Sequence, residues 1–383
     1  MGAGFRKIFF GMTVITFMTT CKQIYNPPAI RSNPGWLVVD GFINTGADST
    51  IITLSRTRNL DSVAPVPELN AKISLTGALS ESYSFTGLGN GRYAAVNLNL
   101  HYNENYQLKI QTIDGKEYLS DTFPARQTPP IDSLTWRHDS VGVSIYAYAH
   151  DPQNATKYYR WNYVETWQYH TYIQTIFDFV NGRVARRPLD SLIYNCWKTF
   201  NSSDIGIATT EKLSSDVINQ QLIQVVPAAS EKISVEYSIL VNQYAITADA
   251  FAYWQNLKKN TEERGSLFDP QPSQLTGNIH CMNNPNEPVL GYIGASSVQQ
   301  KRIFISNDDL IYWNYKPYYS ECSSSPDAMI GINRSQTYEY LVMPNHLYTL
   351  IDSVTGGGYI VAQNYCADCR EHGGINQKPP FWQ

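Results

Sequence analysis

From Trp36 onward, apolar and polar positions alternate in short runs broken by turn residues, which is the pattern of strands rather than helices. Trp36–Ile43, Thr50–Ser55 and Lys72–Leu75 are the first such runs. Ser82–Phe85 and Tyr93–Val96 flank the glycine run Gly87–Gly91, whose Asn90-Gly91 step predicts a hairpin turn. A phosphate-binding loop would need a helix after these glycines, and none follows. Tyr106–Gln111 is predicted to pair with Glu117–Ser120 across Asp114-Gly115. About seven short strands in about 95 residues predict an immunoglobulin-like sandwich over 34–128.

Pro124 to Pro130 holds three prolines and no periodicity, so a domain boundary is placed there. Beyond it, Ile131–Trp136, Val141–Tyr148, Tyr158–Tyr169 and Ile173–Val180 read as strands, the last closed by Asn181-Gly182. Ile233–Ala245 follows, with shorter runs near Leu290–Ala295 and Arg302–Ile305. They predict a second sandwich over 129–306. One helix interrupts it at 248–264, capped by Thr247 and ended by Gly265. Its stripe of Phe251, Trp254 and Leu257 predicts a helix lying on a sheet edge. Residues 307–383 read as a loop-rich, cysteine-containing region, periodic only near Tyr338–Met343. The fold class expected is mainly β: two consecutive β-sandwich domains, immunoglobulin- or fibronectin-III-like, the second with a helical insertion and a loop-rich C-terminal tail.

The N-terminus departs from this pattern. Arg6 and Lys7 precede thirteen mostly apolar residues, Ile8–Thr20. A bilayer span takes about 20 residues, so residues 1–20 read as a secretory signal. Met18-Thr19-Thr20-Cys21 resembles a bacterial lipobox, which predicts cleavage before Cys21 and its lipidation. Several acyl chains on one cysteine hold a protein firmly to a membrane. Residues 21–33 then form a tether of at most about 40 Å, stiffened by Pro27-Pro28. Lys22-Gln23-Ile24 carries no acidic residue, and the face of the membrane that the anchor occupies stays open.

Charge narrows the partners. The chain carries 29 Lys+Arg against 33 Asp+Glu, a formal charge of −4. The expected leader takes away two cations and no acid, leaving −6. That balance gives no electrostatic footprint for nucleic acid. Charged residues make up only 16% of the chain and aromatics 13%, 27 of them tyrosines; this composition suits pleated, half-buried surfaces.

Candidate chemistry is sparse. Cys196, Cys281, Cys322, Cys366 and Cys369 remain after the anchor, an odd number in an oxidising compartment. Cys281, Cys322, Cys366 and Cys369 are the disulfide candidates, with Cys322 joined to one of the last two as one option. Cys366-x-x-Cys369-x-x-His372 also has metal-ligand spacing, and a CxxC can be a redox pair. Along Tyr158–Tyr169, alternation puts Tyr159, Trp161, Tyr163, Trp167 and Tyr169 on one face. That row serves either as sheet core or, through Trp161, Tyr163, Trp167 and Tyr169, as a platform for sugar rings or peptides. Asp-Ser steps place candidate O-glycosylation at Ser49, Ser62, Ser133, Ser140, Ser191 and Ser353; the same steps also favour turns. No nucleophile elbow, zinc-helix or nucleotide-loop motif occurs, so no catalytic residue and no cofactor is assigned.

Several runs carry a family resemblance together. They are Trp36–Ile43 with Asp40-Gly41, Leu54–Leu60, Asp151-Pro-Gln-Asn154, Tyr158-Tyr-Arg-Trp161, Tyr253–Lys259, Phe268–Cys281, and Cys366-Ala-Asp-Cys-Arg370 with Gly373-Gly374 and Phe381-Trp382. The chain resembles the Bacteroidota lipoprotein family called domain of unknown function 4249. The resemblance implies an exported lipoprotein, often encoded beside a SusC-like TonB-dependent outer-membrane transporter, and carries over no catalytic residue. The expectation is a non-enzymatic accessory or substrate-capture lipoprotein that partners such a barrel. The alternatives are a stand-alone glycan- or peptide-binding module and a metal- or redox-active protein using the C-terminal CxxC.

Overall fold

The computed structural model describes residues 35–58, 65–262, 275–311, 313, 322, 326–329, 334–343, 346–355 and 357–382. The leader, Cys21, the tether, Ser62 and Gly265 lie outside the described residues.

The first sandwich is built from β1 (Leu37–Gly41), β2 (Ile43–Asn44), β3 (Thr50–Arg56), β4 (Val66–Pro67), β5 (Lys72–Gly77), β6 (Ser82–Ser84), β7 (Thr86–Gly89), β8 (Arg92–Ala95), β9 (Asn105–Gln111), β10 (Glu117–Ser120) and β11 (Phe123–Arg126). One sheet runs β1-β3-β8-β7, with β4 on β3. The facing sheet centres on β9, flanked by β5, β10 and β11. β7 and β8 meet at Asn90-Gly91, both at positive φ of 50° and 72°. Those angles are what a two-residue hairpin needs, and Asn and Gly tolerate them.

The second half supplies β12 (Ile131–His138), β13 (Gly142–His150), β14 (Tyr158–His170), β15 (Phe177–Val180), β16 (Arg183–Arg186), β17 (Asn195–Asn201), β18 (Gly206–Thr209), β19 (Val217–Pro227), β20 (Glu236–Ala245), the helix α1 (Ala248–Thr261), β21 (Ile279–Cys281), β22 (Ala295–Ser296) and β23 (Val298–Ser306). The sheet β12-β13-β19 faces β17-β14-β20-β23, with β18 also on β14.

The contiguous second domain expected over 129–306 is corrected by the pairing. After α1 the chain returns to the first sandwich. β21 lies antiparallel on β10, with Tyr118 opposite Cys281, and β22 runs parallel to both β2 and β11. Ile279, Cys281, Val289, Ile293 and Ala295 share one core with Leu37, Ile52 and Tyr118. The open N–H and C=O groups along β10 and β11 take a strand from far along the chain, and no local alternation announces that choice. Gly291 makes the return possible. It sits at φ 128°, and a Cβ there would lie 2.0 Å from the Val39 carbonyl oxygen.

The inner face of β14 is core. Tyr159, Trp161, Tyr163, Trp167 and Tyr169 are all 6% exposed or less and pack with Ile145, Ile239 and Cys196. Their polar tips are mostly met inside: Trp161 Nε1 donates to Gln243 Oε1 at 2.8 Å, Trp167 Nε1 to Glu231 Oε1 at 2.9 Å, and the Tyr169 hydroxyl to the Cys369 carbonyl at 2.6 Å. The platform reading of Trp161, Tyr163, Trp167 and Tyr169 is therefore corrected, because no ring face is left for a ligand.

The tail has more order than its composition suggests. β24 (Asp327–Met329), α2 (Arg334–Leu341), β25 (Tyr348–Ser353), β26 (Tyr359–Gln363) and α3 (Asn364–Ala367) follow β23. β15 pairs with β16 across Asn181-Gly182 and packs with this sheet through Phe177, Phe179, Leu350 and Val361, rather than returning along β14. The cysteines are Cys196–Cys369 and Cys322–Cys366, with Cys281 free and buried. Cys281 as a disulfide residue is corrected: its strand belongs to the first sandwich, and the other four lie with the second half. Cys196 takes its place.

Candidate ligand cleft between the two sandwiches

The outer face of the long second sheet carries the even-numbered residues of β14, β20 and β23, because neighbours along a strand alternate sides. Strand pairing sets Asn162 opposite Asn242, and Asn242 opposite Gln300. The detour of 289–297 into the first sandwich brings β1 and β2 up to this face. Leu290 bridges Val38, and the Val39 amide donates to the Leu290 carbonyl at 2.8 Å. The helix α1 closes the third side. Thr247 caps it by accepting from the Ala250 amide at 3.1 Å. Phe251 and Trp254 pack with Phe42, Tyr158, Tyr244 and Tyr292, so the apolar stripe joins the two sandwiches instead of lying on one sheet edge.

The three walls enclose a cleft of about 760 Å³, within the range of small-molecule sites. Arg160 lines it. The guanidinium carbon lies 3.9 Å from the Trp254 ring centroid and 5.7 Å from that of Tyr244. Both contacts are cation–π distances. Burial pushes the Arg160 pKa below its ordinary value, opposed by Tyr244 and Asp40; an arginine still remains charged at neutral pH. Among the described residues its guanidinium has no hydrogen-bond or salt-bridge partner.

Beside it runs a directed amide ladder. Gln300 Nε2 donates to Asn242 Oδ1 at 2.8 Å, and Asn242 Nδ2 donates to Asn162 Oδ1 at 2.7 Å. The Tyr244 hydroxyl donates to the same Asn162 oxygen at 3.3 Å. The ladder leaves Asn162 Nδ2 as a donor without a partner among the described residues. Burial raises the pKa values of Tyr244, Tyr253 and Tyr292, which keeps their hydroxyls neutral. Asp40, Asp48 and Ser49 are exposed and line the cleft. The arrangement offers one desolvated cation, spare amide donors and aromatic walls, which suits binding of a small polar solute.

The residues singled out from the sequence mostly lie elsewhere. Cys366 and Cys369 are not bonded to each other. Each is buried in a disulfide with a distant cysteine, so neither thiol is available for the metal or redox reading. His372 Nε2 lies 2.7 Å from the Tyr365 carbonyl oxygen. Of the serines, Ser49, Ser140 and Ser353 are exposed, and Ser133 and Ser191 are partly covered. Only Ser49 reaches the cleft. Arg160 and Trp254 carry the cleft without having been singled out. The signal for them was present: a polar row behind an aromatic one, and a tryptophan on the one apolar helix stripe.

A family model described as "Domain of unknown function (DUF4249)" matches residues 23–302, a span that contains every residue lining the cleft. No curated protein matches the chain. Among solved structures, the selenomethionine-substituted chicken interferon gamma receptor alpha chain is similar at 11% identity, over 54% of this chain and 87% of that one, with a TM-score of 0.16.

Proposed function

We propose, from the premise that the chain belongs to the DUF4249 family, that it is an outer-membrane lipoprotein, anchored through Cys21, that captures a small solute without turning it over and passes it to a TonB-dependent transporter. The observation that carries the capture role is the cleft itself, lined by a stacked cation that is unpaired among the described residues and by the spare donor of Asn162. The lipobox-like Met18–Cys21 and the short tether support the anchor. Among the described residues no helix is long and apolar enough to cross a membrane, so the anchor would be the lipid.

Two measurements on natively expressed protein test this reading. Intact-mass spectrometry should show loss of residues 1–20 and addition of acyl chains; any further hexose-scale mass would report modification at the Asp-Ser steps. A mild-detergent pull-down should recover a β-barrel partner. Recovery without any barrel, but with the cleft still retaining solute, selects a stand-alone binding module instead. An unlipidated, freely diffusing product would sink the anchor.

A further inference from the structure

We infer that the cleft takes a short peptide with free termini, its C-terminal carboxylate on Arg160 and its ammonium group toward Asp40 and Asp48. This rests on the cleft being the capture site. Three observations select that chemistry. First, the Arg160 guanidinium carbon lies 3.9 Å from the Trp254 ring centroid and 5.7 Å from that of Tyr244, and its N–H groups have no partner among the described residues. A guanidinium fork left unpaired matches the two oxygens of a carboxylate with parallel hydrogen bonds. Second, Asn162 stands on the same face two residues along β14, about 6.6 Å away by strand rise. Its spare Nδ2 can reach the same carboxylate or the next peptide carbonyl.

Third, the charges around the cation limit what else can bind. Arg160 is the single cationic side chain lining the cleft among the described residues, while the exposed Asp40 and Asp48 also line it, Asp40 within electrostatic reach of Arg160. A polyanionic sugar chain would place its second and third charges against those two carboxylates. A zwitterion places an ammonium there instead. The remaining wall of Ile51, Leu257 and Trp254 accommodates apolar side chains. A volume of about 760 Å³ admits a few residues and not a folded partner.

The test is equilibrium dialysis of the full lipoprotein in detergent against a random tripeptide library, read by mass spectrometry. Parallel arms use the C-terminally amidated library, the N-acetylated library and tri-galacturonic acid. The expected result is retention of free tripeptides roughly tenfold above their amides, the scale of one lost charge-assisted pair, with a smaller loss on N-acetylation. Arg160→Met should erase the acid-over-amide preference. Arg160→Lys, which keeps charge and stem but not the fork, should recover only part of it, and covers the case in which the methionine variant folds poorly. Equal retention of acids and amides by the wild type, or preferential retention of tri-galacturonic acid, overturns the peptide assignment and leaves the cleft reading standing. Retention of every probe unchanged by Trp254→Ala overturns both.

Discussion

Arg160 and Arg302 stand on the same outer face of the same sheet, one on β14 and the other on β23. Each is stacked on an aromatic ring, Arg160 at 3.9 Å from Trp254 and Arg302 at 3.7 Å from Phe381. Burial lowers the pKa of both. What separates them is how each end of the face is finished. Arg302 donates to Ser238 Oγ at 2.9 Å, and the C-terminal segment lies over it. Trp382 packs edge-on against Phe304 and Trp197, and Ile375 bridges Trp197. Arg160 faces an open volume with its donors unspent. Stacking and desolvation alone therefore do not mark a site. An unspent donor beside a cavity does, because a buried charge left unpaired is costly and is retained where a ligand completes it.

The strongest way to break the comparison is to unfasten the covered end. Cys196–Cys369 closes a loop of 173 residues and ties the tail to β17. In the chain-entropy view a loop that long contributes on the order of 5 kcal/mol. The double variant Cys196→Ser, Cys369→Ser should lower the urea midpoint accordingly and expose the segment after residue 369 to protease. The cleft should keep its solute, since among the described residues no hydrogen bond or ring contact joins Arg160, Trp254 or Asn162 to that segment. Early cleavage in α1 would show that the two ends are not independent, and an unmoved midpoint would show that the crosslink does not hold the covered end.

A smaller effect bears directly on the two arginines. Arg302→Met gives up a charge-assisted hydrogen bond and a stacking contact, together worth roughly 1–2 kcal/mol. Arg160→Met gives up stacking but also removes an unpaired, desolvated charge. The expectation is destabilisation for Arg302→Met and a near-neutral or stabilising change for Arg160→Met, measured by denaturant midpoints on ligand-free protein. A site that trades stability for function behaves this way. Equal losses at both positions would show Arg160 to be structural.

The contrast also explains what could be read from the chain. Local order was legible wherever one residue type is forced: Asn90-Gly91 and Asn181-Gly182 close their hairpins, and Thr247 caps α1. The β14 row was legible as a row, and its polar tips decided its use once their partners were known. The cleft was not legible, because it depends on β22 joining β2 and β11, a pairing that no periodicity encodes. The cysteines were legible in part: Cys322 does join one of the two tail cysteines, Cys366, but α3 and the turn after it send Cys369 to Cys196 instead. Cys281 sits in the first sandwich because β21 does.

A third basic side chain sets the baseline for both arginines, being paired but unburied. His150 Nδ1 lies 2.8 Å from Asp132 Oδ2, on neighbouring strands and open to solvent. The hydrogen bond to Asp132, then its charge, raises the imidazole pKa above its ordinary value. The folded value is thus above the unfolded one. The pair's stabilisation is fully present below the unfolded pKa, about 6.5, and is lost as pH rises through the folded pKa. Exposure and salt screening keep that contribution small, so the informative readout is the titration rather than the melt. The His150 ring-proton resonance should titrate with a higher midpoint in the wild type than in Asp132→Asn, and the gap should shrink in high salt. A His150 midpoint unmoved by Asp132→Asn would mean the pair is geometric only. The baseline against which the two half-buried arginines are judged would then be zero.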